Sequence, residues 1–365
     1  MSLIKAYITH KKSELYSDCQ DSYAISTQNK AIAIADGVSQ SLFPKVWADM
    51  LTEAYVSDMD FTLNDNEKVQ TLRSRWKSYF VEELKRQQAA NNPMVWKLEN
   101  CFVEGKSAGA TFAGLRFSEN KTISYEILGD SCIVIIKDKK IQKLISSKEE
   151  SDEFDNYPDY IDSSPNIGQK GNVKQGSFSF EKGMEILLVT DALSDLLNEI
   201  CKSEEQEQDI IANLTENISD QKDFEEYIEE LRDKGMSNDD TTLVHIRWSD
   251  LDRIEVVHQT QLSQYIEKEK QKSNSTDVNK VSDEIEYQEC KDDEQQVADS
   301  KKESSDENSE HPNIILKIIN NIFRKDDLSD IQSESEEEKY INDMIDNNRD
   351  KVVQLLREYL FGKKK

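Results

Sequence analysis

Three apolar segments of this chain each meet an aspartate where a buried strand would begin or end. Asp36 follows Ala-Ile-Ala-Ile-Ala, Asp191 follows Ile-Leu-Leu-Val-Thr, and Asp239 stands two residues before Thr-Thr-Leu-Val-His-Ile. A carboxylate beside a core is costly unless it is solvated, paired or bound to a metal. Several that converge would form an oxygen-rich site of the kind that Mg²⁺ or Mn²⁺ prefers. Taken singly, each aspartate also fits an ordinary turn or a helix N-cap.

The overall charge argues against one class of function. The chain has 365 residues, with 73 Asp and Glu against 46 Lys and Arg, and a formal net charge of −27. Such acidity repels phosphate backbones, so non-specific binding of nucleic acid is not expected. It favours cationic ligands instead, and metal ions are among them.

The cysteines and the hydropathy pattern predict in which cellular compartment the protein lies. The five cysteines are dispersed without a Cys-x-x-Cys pair. An odd, scattered set is typical of reduced thiols in a cytosolic protein and gives little support to a zinc site. The first residues lack the apolar core of a secretory signal, and no run approaches the roughly 20 apolar residues of a membrane span. We therefore expect a cytoplasmic protein without a transmembrane segment.

Up to about residue 248 the pattern is that of a globular domain. Apolar residues at helical spacing predict helices over 43–57 and 66–88, and short β-branched runs predict strands. The polar segment 147–175 is predicted to be a loop, and Trp96 is predicted to lie in the core. The strands come as hairpins with helices inserted in two groups. That order favours an antiparallel α+β fold over a βαβ repeat.

The remainder of the chain has a different character. Residues 249–310 are predicted to contain an exposed helix at 254–272, followed by an acidic linker that is too polar to bury a core and is therefore disordered. Residues 311–365 contain two amphipathic helical segments, 313–323 and 340–361. We expect these segments to dock on the globular domain, on each other or on a protein partner.

Six short motifs occur in one order that resembles the type 2C metal-dependent protein phosphatases, in their bacterial form. The motifs are Gln-Asp21-Ser-Tyr-Ala, Ala-Ile-Ala-Asp36-Gly37, Gly109-Ala-Thr, Leu-Gly-Asp130-Ser, Leu-Leu-Val-Thr-Asp191-Ala-Leu-Ser-Asp and Asp239-Asp-Thr-Thr-Leu. Each motif is weak alone, but six in the family's order are far more specific. The resemblance spans residues 1–248, which we predict to be one phosphatase domain.

The resemblance implies both a fold and a metal site. The fold would be a four-layer α-β-β-α sandwich of two antiparallel sheets. The site would hold two Mn²⁺ or Mg²⁺ ions, with a third ion as a further candidate. The implied ligands are Asp21, Asp36, Asp191, Asp239 and the carbonyl of Gly37, with Asp130 as the candidate ligand of the third ion.

The resemblance also implies an activity. The protein would be a serine/threonine phosphatase that hydrolyses phosphomonoesters. A water or hydroxide that bridges two metal ions would attack phosphorus, so no side-chain nucleophile is needed. The substrate would be a phosphoprotein, and a cognate serine/threonine kinase would be a natural partner.

Several positions depart from the family pattern. Ala192 stands where the family has glycine after Asp191, and Cys132 replaces an arginine. The arginine that binds substrate phosphate has no clear counterpart, and Lys11 and Lys12 are the nearby candidates. These departures and the long tail support a second interpretation. In it, the chain is a catalytically impaired sensor or scaffold of the same fold that acts through its tail.

Overall fold

The computed structural model describes residues 2–147, 159–164, 169–202, 207–247 and 254–276. The predicted acidic linker after residue 276 and the predicted helical segments 313–323 and 340–361 lie outside the described residues.

The described part of the chain contains strands and helices in the following order. The strands are Ser2–Thr9 (β1), Ser22–Ser26 (β2), Ala31–Ala35 (β3), Gly109–Ala110 (β4), Phe112–Phe117 (β5), Thr122–Leu128 (β6), Cys132–Lys137 (β7), Lys140–Ile145 (β8), Tyr160–Asp162 (β9), Gln169–Lys170 (β10), Lys174–Ser179 (β11), Met184–Val189 (β12), Thr241–Arg247 (β13) and Ile254–Gln259 (β14). The helices are Pro44–Ser57 (α1), Asn66–Ala89 (α2), Val95–Val103 (α3), Asp191–Lys202 (α4), Glu207–Ala212 (α5), Gln221–Asp233 (α6) and Leu262–Thr276 (α7), with a π-helical turn at Asn213–Asn217.

The strands form two large sheets and one small one. The six-stranded sheet has the order β14-β1-β13-β12-β7-β8, and the five-stranded sheet has the order β11-β6-β5-β3-β2. Their neighbours pair antiparallel, apart from β14, which pairs parallel with β1. The short strands β10, β9 and β4 form a third sheet. Because Gly37 bridges to Ala110 in β4, this small sheet adjoins the turn after β3.

The two large sheets pack face to face and are covered by helices. Ile34 of the five-stranded sheet, together with Leu188 and Val244 of the six-stranded sheet, belongs to one buried aliphatic cluster between the sheets. A second cluster joins the outer face of the six-stranded sheet to α4 and α6, where Leu197 and Phe224 are fully buried. On the other side, α1 packs on β2 and β3, and α2 packs on α1. The predicted four-layer α-β-β-α sandwich is confirmed.

Side-chain caps explain where two of the helices begin. Asp65 caps α2, since its side chain accepts the backbone N–H groups of Glu67 and Lys68, both at 3.1 Å. Asp220 caps α6 in the same way through the N–H of Asp223 at 3.0 Å. Such caps satisfy N–H groups that have no partner inside the helix.

The helix predicted over 254–272 is wrong in its first part. Residues Ile254–Gln259 form β14, and their side chains alternate between partly buried and exposed. Ile254 and Val256 pack against the cluster between the sheets. Because alternate side chains are buried, a strand is favoured here over a helix. Helix α7 begins at Leu262. The six-stranded sheet therefore contains a strand beyond residue 248, where the sequence pattern suggested that the domain ends.

Two further predictions differ from the structure, and one strand was not predicted. The segment 147–175 contains β9, β10 and the start of β11 in its described parts. Trp96 lies on α3 with 47 % of its surface exposed, because Leu98 is the residue of that helix that is buried. Strand β8 was missed because its exposed lysines obscure the apolar alternation. No helix in the described ranges is long and apolar enough to cross a membrane.

Candidate functional site

Asp21 lies just before β2 and is completely buried. Its Oδ2 accepts hydrogen bonds from the hydroxyls of Thr190 at 2.8 Å and Thr242 at 2.7 Å. Its Oδ1 is buried and has no hydrogen-bond partner among the described residues. Burial and the neighbouring Asp240 raise the pKa of Asp21 to about 7, against the lowering effect of the two threonines. A buried carboxylate oxygen without a donor is a costly feature, and a bound cation would compensate for it.

Asp36 immediately follows β3 and is held by the neighbouring sheet. Its carbonyl accepts the N–H of Thr111 at 2.8 Å, so its backbone is fixed beside β5. Burial is the largest cause that raises the pKa of Asp36 well above its usual range. Repulsion from other carboxylates adds to it, and those carboxylates are Asp191, Asp21, Asp130 and Asp239. The turn after β3 therefore brings Asp36 within electrostatic range of every other predicted carboxylate ligand.

Asp191 is the first residue of α4 and follows the end of β12. Its Oδ1 accepts the N–H of Ala192 at 2.6 Å, so the carboxylate turns back on the helix N-terminus. The pKa of Asp191 is raised well above its usual value by burial, then by Asp239 and Asp130. The antiparallel pairing of β12 with β13 explains the approach of Asp239, because the end of one strand lies beside the start of the other.

Asp130 lies in the turn between β6 and β7 and is 6 % exposed. The hydroxyl of Ser194 donates to its carbonyl at 2.7 Å, which ties this turn to the first turn of α4. Cys132 is fully buried in the cluster between the sheet and the helices. Since its side chain points into that core, an arginine at this position would bury a charge. Ala192 is also buried in the same cluster.

Asp239 and Asp240 precede β13 and have different surroundings. The Asp239 carboxylate is 33 % exposed and lies 3.0 Å from the ammonium of Lys11. Asp240 is almost fully buried, and it accepts the backbone N–H groups of Lys11 at 3.0 Å and Gln20 at 2.7 Å. Burial raises the pKa of Asp240 to about 6. Asp240 thus ties both ends of the loop between β1 and β2 to the start of β13.

Lys11 is a basic side chain that the fold brings next to the cluster of aspartates. Burial tends to lower its pKa, but Asp239 and Asp240 outweigh that effect, so the pKa of Lys11 is raised above its usual value. Its ammonium also lies 3.2 Å from the hydroxyl of Ser39, in the turn after Asp36. Lys12 points away, since its ammonium is half-exposed and pairs with Glu229 and Asp233 of α6.

Gly37 occupies a position without room for a side chain. A Cβ atom there would lie 2.7 Å from Cβ of Pro44 and 3.0 Å from the carbonyl oxygen of Gln20. The next residue, Val38, donates its N–H to Gly109 at 2.9 Å. The backbone after Asp36 can therefore lie against the start of α1 because residue 37 is glycine.

The donor set fits a divalent metal ion. Asp36 and the four aspartates that raise its pKa supply five carboxyl groups, so the metal-binding atoms would all be oxygens. One buried oxygen of Asp21 has no hydrogen-bond donor within the described part of the chain. Hard divalent cations prefer such a set. Within the described ranges, no group of three or more His, Cys, Asp or Glu side chains is arranged to hold a metal ion as it stands. The structure thus brings the predicted side chains into one neighbourhood, and the ligand assignment stays a prediction.

A comparison with known protein families identifies the family of this chain. The sequence matches the family model described as Protein phosphatase 2C over residues 10–243. The chain belongs to the protein phosphatase 2C family. A comparison with curated protein sequences gave no match.

A comparison with solved structures gave matches at low sequence identity, and three of them are as follows. The Mycobacterium tuberculosis serine/threonine phosphatase PstP/Ppp is 16 % identical, with 68 % of this chain and 99 % of that chain covered and a TM-score of 0.41. The catalytic domain of PstP in complex with two manganese ions is 18 % identical over 68 % and 99 %, with a TM-score of 0.41. PppA of Pseudomonas aeruginosa is 13 % identical over 67 % and 97 %, with a TM-score of 0.42.

Several residues at the centre of this protein phosphatase 2C domain were missed by sequence reasoning. Thr190 and Thr242 hold Asp21, and Asp240 organises the loop that carries Lys11. Their residue types are common, so type alone gave no signal. Their position could have given one, because each stands within one residue of a predicted metal ligand or of its motif.

Proposed function

We propose that this protein is a divalent-metal-dependent phosphatase that removes phosphate from serine and threonine side chains of proteins. The supporting observation is the cluster of carboxylates around Asp36, with the buried Oδ1 of Asp21 left without a hydrogen-bond donor in the described ranges. Membership of the protein phosphatase 2C family is consistent with it.

We propose the same metal ligands that the sequence motifs imply. Two Mn²⁺ or Mg²⁺ ions, when bound, activate water for attack on phosphorus and neutralise charge on the phosphoryl group. A third ion is a further candidate. The proposed ligands of the two main ions are Asp21, Asp36, Asp191, Asp239 and the Gly37 carbonyl, and Asp130 is proposed for the third.

The surrounding residues orient this set. Thr190 and Thr242 fix the rotamer of Asp21 through its Oδ2. Asp240 holds the backbone of Lys11, whose ammonium is then available to a phosphoryl oxygen beside Asp239. Preorganised charge of this kind acts on the transition state without further rearrangement.

The structure offers no competing thiol nucleophile among the described residues at this site. Cys19 and Cys132 are fully buried. Burial raises the pKa of Cys132 to about 12 and places that of Cys19 well above its usual value. Since the thiolate is the reactive form, neither cysteine is suited to attack phosphorus at neutral pH.

The proposal is tested by phosphate release from a phosphoserine or phosphothreonine peptide with Mn²⁺. Asp36→Asn and Asp191→Asn should each abolish most of the activity, while Asp60→Asn at an exposed position should leave it intact. Metal-dependent activity that survives both site substitutions would refute the ligand assignment.

A second candidate function is supported by the Lys11–Asp239 ion pair. An ammonium 3.0 Å from a proposed ligand competes with a cation at that ligand. The chain would then be a catalytically impaired sensor or scaffold that acts through its tail. Calorimetry with Mn²⁺ separates the two, because tight two-site binding favours the enzyme and no binding at millimolar metal favours the scaffold.

The proposal also covers the substrate, the partners and the division of the chain into domains. The substrate would be a cytoplasmic phosphoprotein, and its cognate serine/threonine kinase would be a partner. The phosphatase site would lie within residues 1–248, with β14 and α7 of the segment 249–310 completing the fold around it and the rest of that segment serving as a linker. Residues 311–365 would bind a protein partner through their amphipathic segments.

A further inference from the structure

Helix α7 lies beyond the part of the chain that matches the family, yet it contacts the loop that carries Lys11. The family match ends at residue 243, and α7 spans Leu262–Thr276. The loop of residues 10–20 joins β1 to β2 and carries Lys11 near its start. Most side chains in its middle are exposed, but Tyr16 is 6 % exposed. Tyr16 is therefore the point at which this loop is anchored to the domain.

The anchor is made by two helices. Both carboxylate oxygens of Glu269 in α7 accept the backbone N–H of Tyr16, at 3.0 and 3.1 Å. The ring of Tyr265, one turn earlier in α7, packs on the Tyr16 ring with 4.8 Å between centroids. On the other side, the phenol of Tyr16 donates to Glu225 of α6 and accepts from Gln221 at 3.0 Å.

The ends of the same loop are fixed at the proposed site. Asp240 accepts the N–H groups of Lys11 and Gln20 at 3.0 and 2.7 Å. Tyr16 lies five residues after Lys11 and five before Asp21. Ser13 adopts a φ of 75°, in the left-handed region, so the loop adopts a backbone conformation that needs outside support. Near its start, the loop is also held by Asn238, whose side-chain oxygen accepts the N–H of Lys12 at 2.8 Å, so Tyr16 is the anchor of its middle part.

We propose that Glu269 is a positioning residue: it holds the loop of residues 10–20 so that Lys11 stays against Asp239. The effect on catalysis rests on the proposed function, because Lys11 is assigned there to the substrate phosphoryl group. A hydrogen bond to a charged acceptor is among the stronger ones, so one carboxylate can restrain a short loop. Helix α7 is thereby coupled to the proposed site through the loop of residues 10–20.

The first test measures loop mobility without any need for turnover. Amide hydrogen exchange of the full metal-free chain should rise roughly tenfold over residues 11–18 in Glu269→Ala. Exchange in β3 should not change, and Glu267→Ala, an exposed position on the same helix, should match the wild type. Glu269→Gln keeps an acceptor and should show roughly a threefold rise. If Glu269→Ala does not fold, the glutamine variant is the test. Unchanged exchange of the loop in the folded variant overturns the proposal.

The second test asks whether the loop acts through Lys11. At saturating Mn²⁺, Glu269→Ala should raise KM for a phosphopeptide about tenfold with kcat within about twofold. In a Lys11→Met background the same change should add no further increase in KM. A purely structural role would lower stability and leave KM unchanged, and either that result or independent increases in KM overturns the proposal. A wild type that releases no phosphate contradicts the proposed function alone, since the exchange experiment still decides the role of Glu269.

Discussion

The ammonium of Lys11 and the carboxylate of Asp239 lie 3.0 Å apart, at the edge of the carboxylate cluster. The two side chains are 15 % and 33 % exposed, so the pair is partly shielded from solvent. It joins a residue of the β1–β2 loop to one that precedes β13, and the sequence separates them by more than 200 positions. This pair places positive charge beside a proposed metal ligand, where a phosphoryl group would also approach.

Replacing Lys11 should therefore affect substrate and metal in opposite directions. We expect Lys11→Met to raise KM for a phosphopeptide about tenfold, because a charged hydrogen bond to the phosphoryl group is lost. It should tighten Mn²⁺ binding by roughly two- to tenfold, because a nearby positive charge is removed. Steady-state kinetics and calorimetry measure the two effects. Lys12→Met is the matched control and should change neither, and an unchanged KM in Lys11→Met would remove Lys11 from the substrate site.

The resemblance to a known family predicted the fold and the cluster of carboxylates, and local patterns agree with it because each of these aspartates lies within two residues of a strand. The apolar segment before Asp36 and the one before Asp191 both give strands, and the pairing of β12 with β13 brings Asp191 to Asp239. Strand periodicity therefore places each carboxylate at a strand end, and the resemblance supplied the expectation that these strand ends meet.

The supporting residues were not predictable because their roles arise from tertiary contacts. Thr242 and Thr190 become partners of Asp21 only when β12, β13 and the β1–β2 loop meet. The same is true of Glu269, which contacts Tyr16 across 253 positions. Strand β14 alternates in burial as a strand should, but its short run merges in sequence with the helix that follows it.

Removing one carboxylate from the cluster should stabilise the metal-free protein while it inactivates the enzyme. Asp36 is surrounded by four other aspartates that raise its pKa, after burial as the main cause. Asp36→Asn should lower kcat/KM at least about 100-fold and raise Tm without metal by roughly 2–8 °C, since repulsion and desolvation are both relieved. Thermal unfolding with and without Mn²⁺, beside phosphate release, measures both. Asp60→Asn is the control, and a lower metal-free Tm in Asp36→Asn would contradict the repulsion argument.

A methyl group at residue 37 should disturb the site through the backbone. In Gly37→Ala the new Cβ would lie 2.7 Å from Pro44 and 3.0 Å from the Gln20 carbonyl. We expect a loss of about 1–3 kcal/mol in the free energy of unfolding and a loss of at least tenfold in activity per folded molecule. Gly114→Ala is the matched control, because its Cβ would meet Tyr55 at 2.7 Å inside the core. It should lose similar stability but keep its activity, and equal activity in both variants would contradict a special role for Gly37.

The pair of buried His245 and half-buried Glu185 should make the domain sensitive to acid. Their hydrogen bond is 2.5 Å long, and the His245 side chain is 4 % exposed. Burial lowers the pKa of His245, while Glu185 opposes it. For Glu185, burial tends to raise the pKa, but His245 and Arg247 outweigh it and the net pKa is lowered. Both shifts mean that the unfolded chain binds protons more readily, so stability falls as pH falls.

For His245 this loss begins near pH 6.5, and for Glu185 near pH 4.5. Urea unfolding of His245→Gln should therefore show a shallower decline in free energy between pH 7 and pH 5, by up to about 1.4 kcal/mol per pH unit. Near pH 8 the free energy of unfolding should change with pH equally in the wild type and in His245→Gln. A variant that declines as steeply as the wild type would show that His245 does not control this range.

Truncation tests where the folded domain ends. A chain that stops at residue 248 loses β14, which pairs with β1, and loses α7. It also loses Thr260, whose carbonyl accepts the phenol of Tyr23 at 2.6 Å. The partly buried Ile254 and Val256 leave the cluster between the sheets. Since full burial of such a side chain contributes about 1.5–3 kcal/mol, their loss together with the β1–β14 pairing should cost a few kcal/mol.

A loss of that size is a large share of the 5–15 kcal/mol by which a typical domain is stable. We therefore expect residues 1–276 to give a soluble, cooperatively folding protein, and residues 1–248 to aggregate or melt at least about 10 °C lower. Calorimetry and size-exclusion chromatography of the two truncated chains measure this, with the full chain as control. Because β1 would become an edge strand in the shorter chain, its unpaired backbone would promote association as well. Equal melting temperatures for the two truncated chains would place the end of the domain at residue 248, as the sequence pattern suggested.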